Sequence, residues 1–236
     1  MHKISFCVLA FASLLLAGLG LMSTPVPALA QGVANLSNEQ ATGGLKEALT
    51  RSVGTAVSET GRPGGYDKNA LIKIVFPEKL KFAEKGLRAA GMGPQVDKFE
   101  HSMNAAAEQA APAAKSIFLK ALQSMTFDDA RRIVTGGDTA GTDYFKRTTS
   151  TQVSEAFRPI IKKAMATNGV TEKYNALMQS APKTPFGGSG SLDIDDYVLG
   201  KAVDGLFTMM GEEEKKIRTN PAAQVTPLLK TVFGKR

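Results

Sequence analysis

Apolar residues return every three or four positions along this chain, segment after segment, and that spacing admits helices and little else. Leu45, Ala48, Leu49, Ser52, Val53, Ala56 and Val57 mark one face of a first helix, opened by the capping box Ser37-Asn38-Glu39-Gln40. Gly61-Arg62-Pro63-Gly64-Gly65 breaks it. Asp67 is then placed to cap a short helix through Leu71, Ile72, Ile74 and Val75. Pro77 starts another, with Leu80, Ala83, Leu87 and Ala90 inward, closed by Gly91-Met92-Gly93. Pro94 opens a long helix carrying Val96, Phe99, Met103, Ala107 and Ala110 on one face. Pro112 must kink or divide it, because proline removes a backbone donor and crowds the preceding turn. The continuation holds Ile117, Phe118, Ala121, Leu122 and Met125. Thr126-Phe127-Asp128-Asp129 reads as a fresh N-terminus and Gly136-Gly137 as its end. Val153, Phe157, Ile160, Ile161 and Ala164 share a further helix, bent at Pro159 and stopping near Gly169.

Period-two alternation flanked by hairpin turns is missing; Leu71 to Phe76 is the one stretch that fits a strand, and one strand makes no sheet. The expected class is therefore all-α, an irregular multi-helix bundle. Residues 181–191 form a Pro/Gly/Ser linker, stiff in its proline half and flexible after it. Beyond it, Asp193 to Arg218 make a helix whose stripe of Ile194, Val198, Leu199, Ala202, Val203, Leu206, Phe207, Met209 and Met210 is too broad to stand in water. Thr226-Pro227 caps a last short helix with Leu228, Leu229, Val232 and Phe233. A tail this short cannot bury such a stripe alone, so a C-terminal helical hairpin should dock back on the body. The expected organisation is a single helical domain, residues 31–236: body 31–180, linker 181–191 and C-terminal helices 192–236.

Residues 1–30 predict a cleaved signal peptide. A short positive start, an uncharged apolar run from Ile4 to Met22 and the small residues Ala28 and Ala30 place the cut after Ala30. The expected address is the periplasm or the exterior, with no integral membrane span after cleavage. Lys3 is the only charged residue lost, which takes the formal net charge from +7 to +6. The single cysteine, Cys7, leaves too, so the remaining chain has no disulfide, thiol nucleophile or thiolate ligand. Basic residues are scattered among acids, and Glu212-Glu213-Glu214-Lys215-Lys216 has the order of an exposed helical ion-pair run. Aromatic and basic residues do not interleave as in a nucleic-acid platform. Lipid headgroups or another cell-envelope component are the partners open to an exported basic protein.

The chain also resembles a known family. Gly44-Leu45-Lys46-Glu47-Ala48-Leu49, Ile72-Lys73-Ile74 with Pro77, and Met103-Asn104 with Ala106-Ala107-Glu108 are similar to its central motifs. Met125-Thr126 with Asp129-Ala130, Tyr144-Phe145, and Phe157 with Pro159 continue the likeness. So do Gly205-Leu206-Phe207, Glu213-Glu214, Ile217-Arg218 with Pro221, and Val232-Phe233-Gly234. Together they resemble the exported bacterial family called domain of unknown function 4197. The resemblance implies a helical envelope protein and supplies no activity, so no catalytic residue is carried over.

Chemistry must be sought in the residues themselves. His101 is the only histidine after the leader, with no second histidine or cysteine at ligand spacing, and it falls toward the outer side of its helix. A surface histidine is expected, with no metal site and no cofactor. Glu100, Asn104 and Glu108 form one stripe, four residues apart, along the border of the apolar face. Its ends lie about 12 Å apart, beyond the roughly 5–9.5 Å of paired glycosidase carboxylates. The stripe is expected to be a polar seam bonded to a neighbouring helix, with Lys73, Arg88 or Arg218 as its partners. Asp193, Asp195 and Asp196 lack the rest of a calcium loop and fit a helix first turn, favoured by the dipole. Gly136 to Thr142 could present amides to an anion, but an inter-helix turn accounts for it. Two functions remain. One is a non-enzymatic binding or interaction module for an apolar or amphipathic ligand or envelope partner. The alternative is a periplasmic hydrolase using Glu100, Glu108 or the Asp129 region.

Overall fold

In the computed structural model, residues 38–167, 169–180 and 193–233 are described, and among them nine α-helices and no strand are found. The leader, the Ser37 end of the first capping box, the 181–191 linker and Gly234 lie outside the described residues. The first helix, α1, spans Asn38–Gly61, and its expected face, Leu45 to Val57, is buried. After a 3-10 turn at Glu78–Leu80 that follows Pro77, α2 runs Lys81–Ala89 and stops before Gly91, whose φ of 81° suits glycine. Long helix α3, Gly93–Ala110, has Pro94 in its first turn. At Pro112 the α-helix yields to a 3-10 turn, Ala111–Ala113, and resumes as α4, Ala114–Gln123. Thr126 caps α5, Phe127–Thr135, through a reciprocal box with Asp129.

The helix α6, Ala140–Thr167, passes through Pro159 without ending, followed by α7, Val170–Ser180. Asp193 accepts from the amides of Asp195 and Asp196 and so caps α8, Ile194–Thr219. Those three acids sit where a helix start favours them. The chain closes with α9, Pro227–Phe233, held at its start by Leu229 N–H donating to Thr226 Oγ1.

Helix α8 is central, packed against α6, α1 and α3, while α9 covers α1. Phe118 of α4 meets Phe145 of α6 and Phe207 of α8 edge-on, with ring centres 5.2 and 5.7 Å apart. Val198, Ala202 and Leu206 of α8 are fully buried, so the broad stripe is absorbed by the body of the fold.

One expected element is different. No helix forms between Asp67 and Val75. The chain turns from Arg62 to Ile72, with the amides of Ile72 and Lys73 bonded back to Asn69 O, and then runs extended to Phe76. Burial alternates from Leu71 to Phe76: Ile72, Ile74 and Phe76 point in, while Leu71, Lys73 and Val75 point out. A helix would have put Ile72 and Ile74 on different faces, whereas period-two burial puts Ile72, Ile74 and Phe76 on one face and leaves Leu71 and Val75 outside.

Candidate functional site

A lone extended segment must satisfy its peptide groups without a neighbouring strand. Here the polar stripe of α3 does so. Phe76 N–H donates to Glu100 Oε1 at 2.8 Å. Ile74 N–H donates to Asn104 Oδ1 at 2.8 Å, and Asn104 Nδ2 returns a bond to Ile74 O at 2.7 Å. Glu108 Oε1 accepts from the amides of Tyr66 and Asp67 at 3.1 and 3.2 Å. All three stripe side chains are buried. The seam thus binds the backbone of a non-helical segment, which corrects the expected partners. Lys73 pairs with Asp67 at 3.0 Å, Arg88 with Glu84 and Asp97 at 2.8 and 2.7 Å, and Arg218 with Glu214 at 2.8 Å. Among the described residues, none of these three cations forms an ion pair with the seam.

Asn104→Leu should therefore uncover both the N–H and the C=O of Ile74. A buried polar group left without a partner costs about 1–3 kcal/mol, and the stability loss is expected in that range. Unchanged urea unfolding would mean that water reaches Ile74.

The other side of the segment faces α8. Tyr197 Oη donates to Val75 O at 3.0 Å, and Tyr66 Oη donates to Ala202 O at 2.6 Å. Asn69 Nδ2 lies 3.2 Å from Met209 Sδ. Gly205 makes the close approach possible: a Cβ there would sit 2.6 Å from Tyr66 Cε1 and 3.2 Å from Ile72 Cβ. Burial first, then the nearby Glu108 carboxylate, pushes the Tyr66 phenol far above its ordinary value, so it remains a donor. Burial likewise raises Tyr197.

His101 is exposed, as a surface histidine should be, yet its Nδ1 lies 2.9 Å from Asp67 Oδ2. Burial pushes the Asp67 carboxyl up, but the bonds to His101 and Lys73 together outweigh it and hold it below the usual range.

Between the segment and α8 lies an open groove of about 620 Å³, lined by Leu71, Val75 and Pro77 on one side and Tyr197, Lys201 and Thr208 on the other. Leu71 and Val75 are exposed there. A second open groove of about 630 Å³, lined by Gln109, Ile160, Lys163 and Thr167, does not border the seam.

The glycine-rich turn does hold an anion, supplied by the chain itself. Glu214 accepts from the amides of Gly141 and Thr142 at 2.9 and 2.7 Å and from Thr142 Oγ1 at 2.8 Å. These groups open α6, where a helix start favours negative charge. Arg218 donates to Glu214 through Nε and to Ile133 O through Nη2, and its guanidinium lies 5.1 Å from the Phe233 ring centre. The Glu212–Lys216 run is therefore not all surface, since Glu214 is buried. Two cues in the sequence could have revealed this: Glu214 and Arg218 stand four apart, and Glu214 follows Met210 by four on the apolar stripe. Tyr197, also missed, lies one residue before the buried Val198 and carries no such cue.

Among the described residues no cluster of His, Cys, Asp and Glu could hold a metal ion, and no helix is long and apolar enough to cross a membrane. No curated protein and no solved structure matches the chain at a significant level. A family model described as "Protein of unknown function (DUF4197)" matches residues 35–234, and the chain belongs to that family.

Proposed function

We propose that this protein is an exported, non-enzymatic binding module of the cell envelope, with the groove between residues 71–77 and α8 as its ligand site. The observation that carries the reading is the commitment of the seam. Asn104 and one carboxylate oxygen each of Glu100 and Glu108 bind peptide N–H groups, which fixes a segment that turns Leu71 and Val75 outward with Lys73 between them. Glu108, bound to two amides, and Glu100, bound to one, are poor candidates for moving protons to a substrate, since the geometry aims each at the backbone. An open groove with apolar Leu71 and Val75 on one rim and Lys201 and Asp204 on the other suits an amphipathic molecule. Export is supported by the leader pattern of residues 1–30.

Mass spectrometry of organic extracts from the purified protein is the test. An amphiphile should co-purify, and Thr208→Trp, which fills the groove from an exposed position, should displace it without lowering the melting temperature. Extracts free of any amphiphile, or an amphiphile retained by Thr208→Trp, would defeat the groove as the ligand site.

A further inference from the structure

Among the described residues, the large hydrophobic side chains of Leu71, Val75, Phe82, Phe127 and Val225 stand well exposed. Three of the five fall within twelve residues. The same stretch is basic: between Asp67 and Arg88 stand Lys68, Lys73, Lys79, Lys81, Lys85 and Arg88 against Asp67, Glu78 and Glu84. Lys73, Lys81 and Arg88 are engaged in ion pairs with acids of this region. Lys68, Lys79 and Lys85 are exposed and form no ion pair among the described residues. Uncompensated lysines and exposed apolar tips therefore interleave in the order Lys68, Leu71, Val75, Lys79, Phe82, Lys85.

We infer that this exposed stretch, residues 68–85, docks on the surface of an anionic phospholipid bilayer. A series of apolar tips and long-stemmed cations, three or four residues apart, matches the boundary between headgroups and acyl chains. There lysine stems lie along apolar surface while their ammonium groups meet phosphate. An acidic polypeptide is the weaker fit. Adding a strand would need a free backbone edge, and this segment has given Ile74 and Phe76 to the α3 seam and the Val75 carbonyl to Tyr197. The inference rests on the binding-module reading above and names the surface that such a module meets.

Vesicle co-sedimentation of the full chain without its leader tests it. The probe is vesicles of equal parts phosphatidylglycerol and phosphatidylcholine, compared with phosphatidylcholine alone. Binding is expected to the anionic vesicles only, and to weaken as salt is raised. Lys79→Gln and Lys85→Gln should each weaken it about fivefold, the equivalent of about 1 kcal/mol per basic residue near such a surface. Phe82→Ser and Leu71→Ser, both at exposed positions, should weaken it while leaving circular dichroism and the melting temperature unchanged. Equal binding to both vesicle types, or indifference to all four substitutions, would overturn the proposal. So would capture of soluble poly-glutamate through the same lysines with no vesicle binding, which would make the partner an acidic polypeptide. If vesicle binding fails but an amphiphile still co-purifies in the groove, only this inference falls; if both fail, the binding-module reading falls with it.

Discussion

Glu214→Leu is expected to lower the free energy of unfolding by about 3–5 kcal/mol, the range typical of a broken buried ion pair. The carboxylate neutralises Arg218, which is 2 % exposed, and it also holds the amides of Gly141 and Thr142 at the start of α6. Leucine leaves a cation buried without its anion and two N–H groups without acceptors. The site is also tight. A Cβ on Gly141 would lie 2.3 Å from Leu49 Cδ2, so little room exists for water to enter in compensation. Glu214→Leu combined with Arg218→Met should recover much of the loss, since removing both charges removes the uncompensated one. Urea unfolding of the three variants measures this. A double variant no more stable than Glu214→Leu would show that the bare α6 amides, not the stranded charge, dominate.

Ending the chain at Ser191 should have a still larger effect. Ile194, Val198, Leu206, Phe207 and Met210 of α8 are buried, and each such side chain contributes about 1.5–3 kcal/mol on leaving water. Together they are comparable to the roughly 5–15 kcal/mol that holds a whole domain folded. Removal also opens the aromatic cluster at Phe118 and Phe145, and strips Tyr66 of the acceptor for its hydroxyl. The shortened chain is expected to aggregate or to lose cooperative unfolding. Adding residues 192–236 as a separate chain should restore part of the near-ultraviolet signal, with affinity limited by the lost tether. A soluble, monomeric 31–191 fragment with an unchanged melting temperature would show that α8 is dispensable to the core.

Most helices could be read in advance because their causes are local. Thr126 and Asp129, three residues apart, carry their own capping box, and Asp193 sits beside the amides it caps. Burial on α1 and α3 follows the 3.6-residue period with few exceptions. The stripe of Glu100, Asn104 and Glu108 was equally legible, but its partner was not. Which backbone a side chain will meet across 24 to 42 residues depends on the whole packing. Residues 71–76 are apolar enough for either a helix or a strand, and the seam decides between them. Lys73, Arg88 and Arg218 found acids near them in sequence or in the same turn region: Asp67, Glu84 and Glu214. Nearby carboxylates compete for a cation at lower entropic cost than distant ones.

The seam works because two molecular rulers nearly coincide. Four residues of helix advance about 6 Å, and two residues of extended chain about 6.6 Å. Glu100 and Asn104 thus meet Phe76 and Ile74 as successive rungs, the helix rising as the segment descends. Each step adds about half an ångström of mismatch, as on a vernier. There is no third rung of this kind: the Ile72 N–H bonds back to Asn69 O at 3.2 Å, and Glu108 binds the turn at Tyr66 and Asp67. A straight helix can therefore act as a substitute edge for only a short strand. Here the start of the segment is set by the turn at Asn69, whose carbonyl takes the amides of both Ile72 and Lys73.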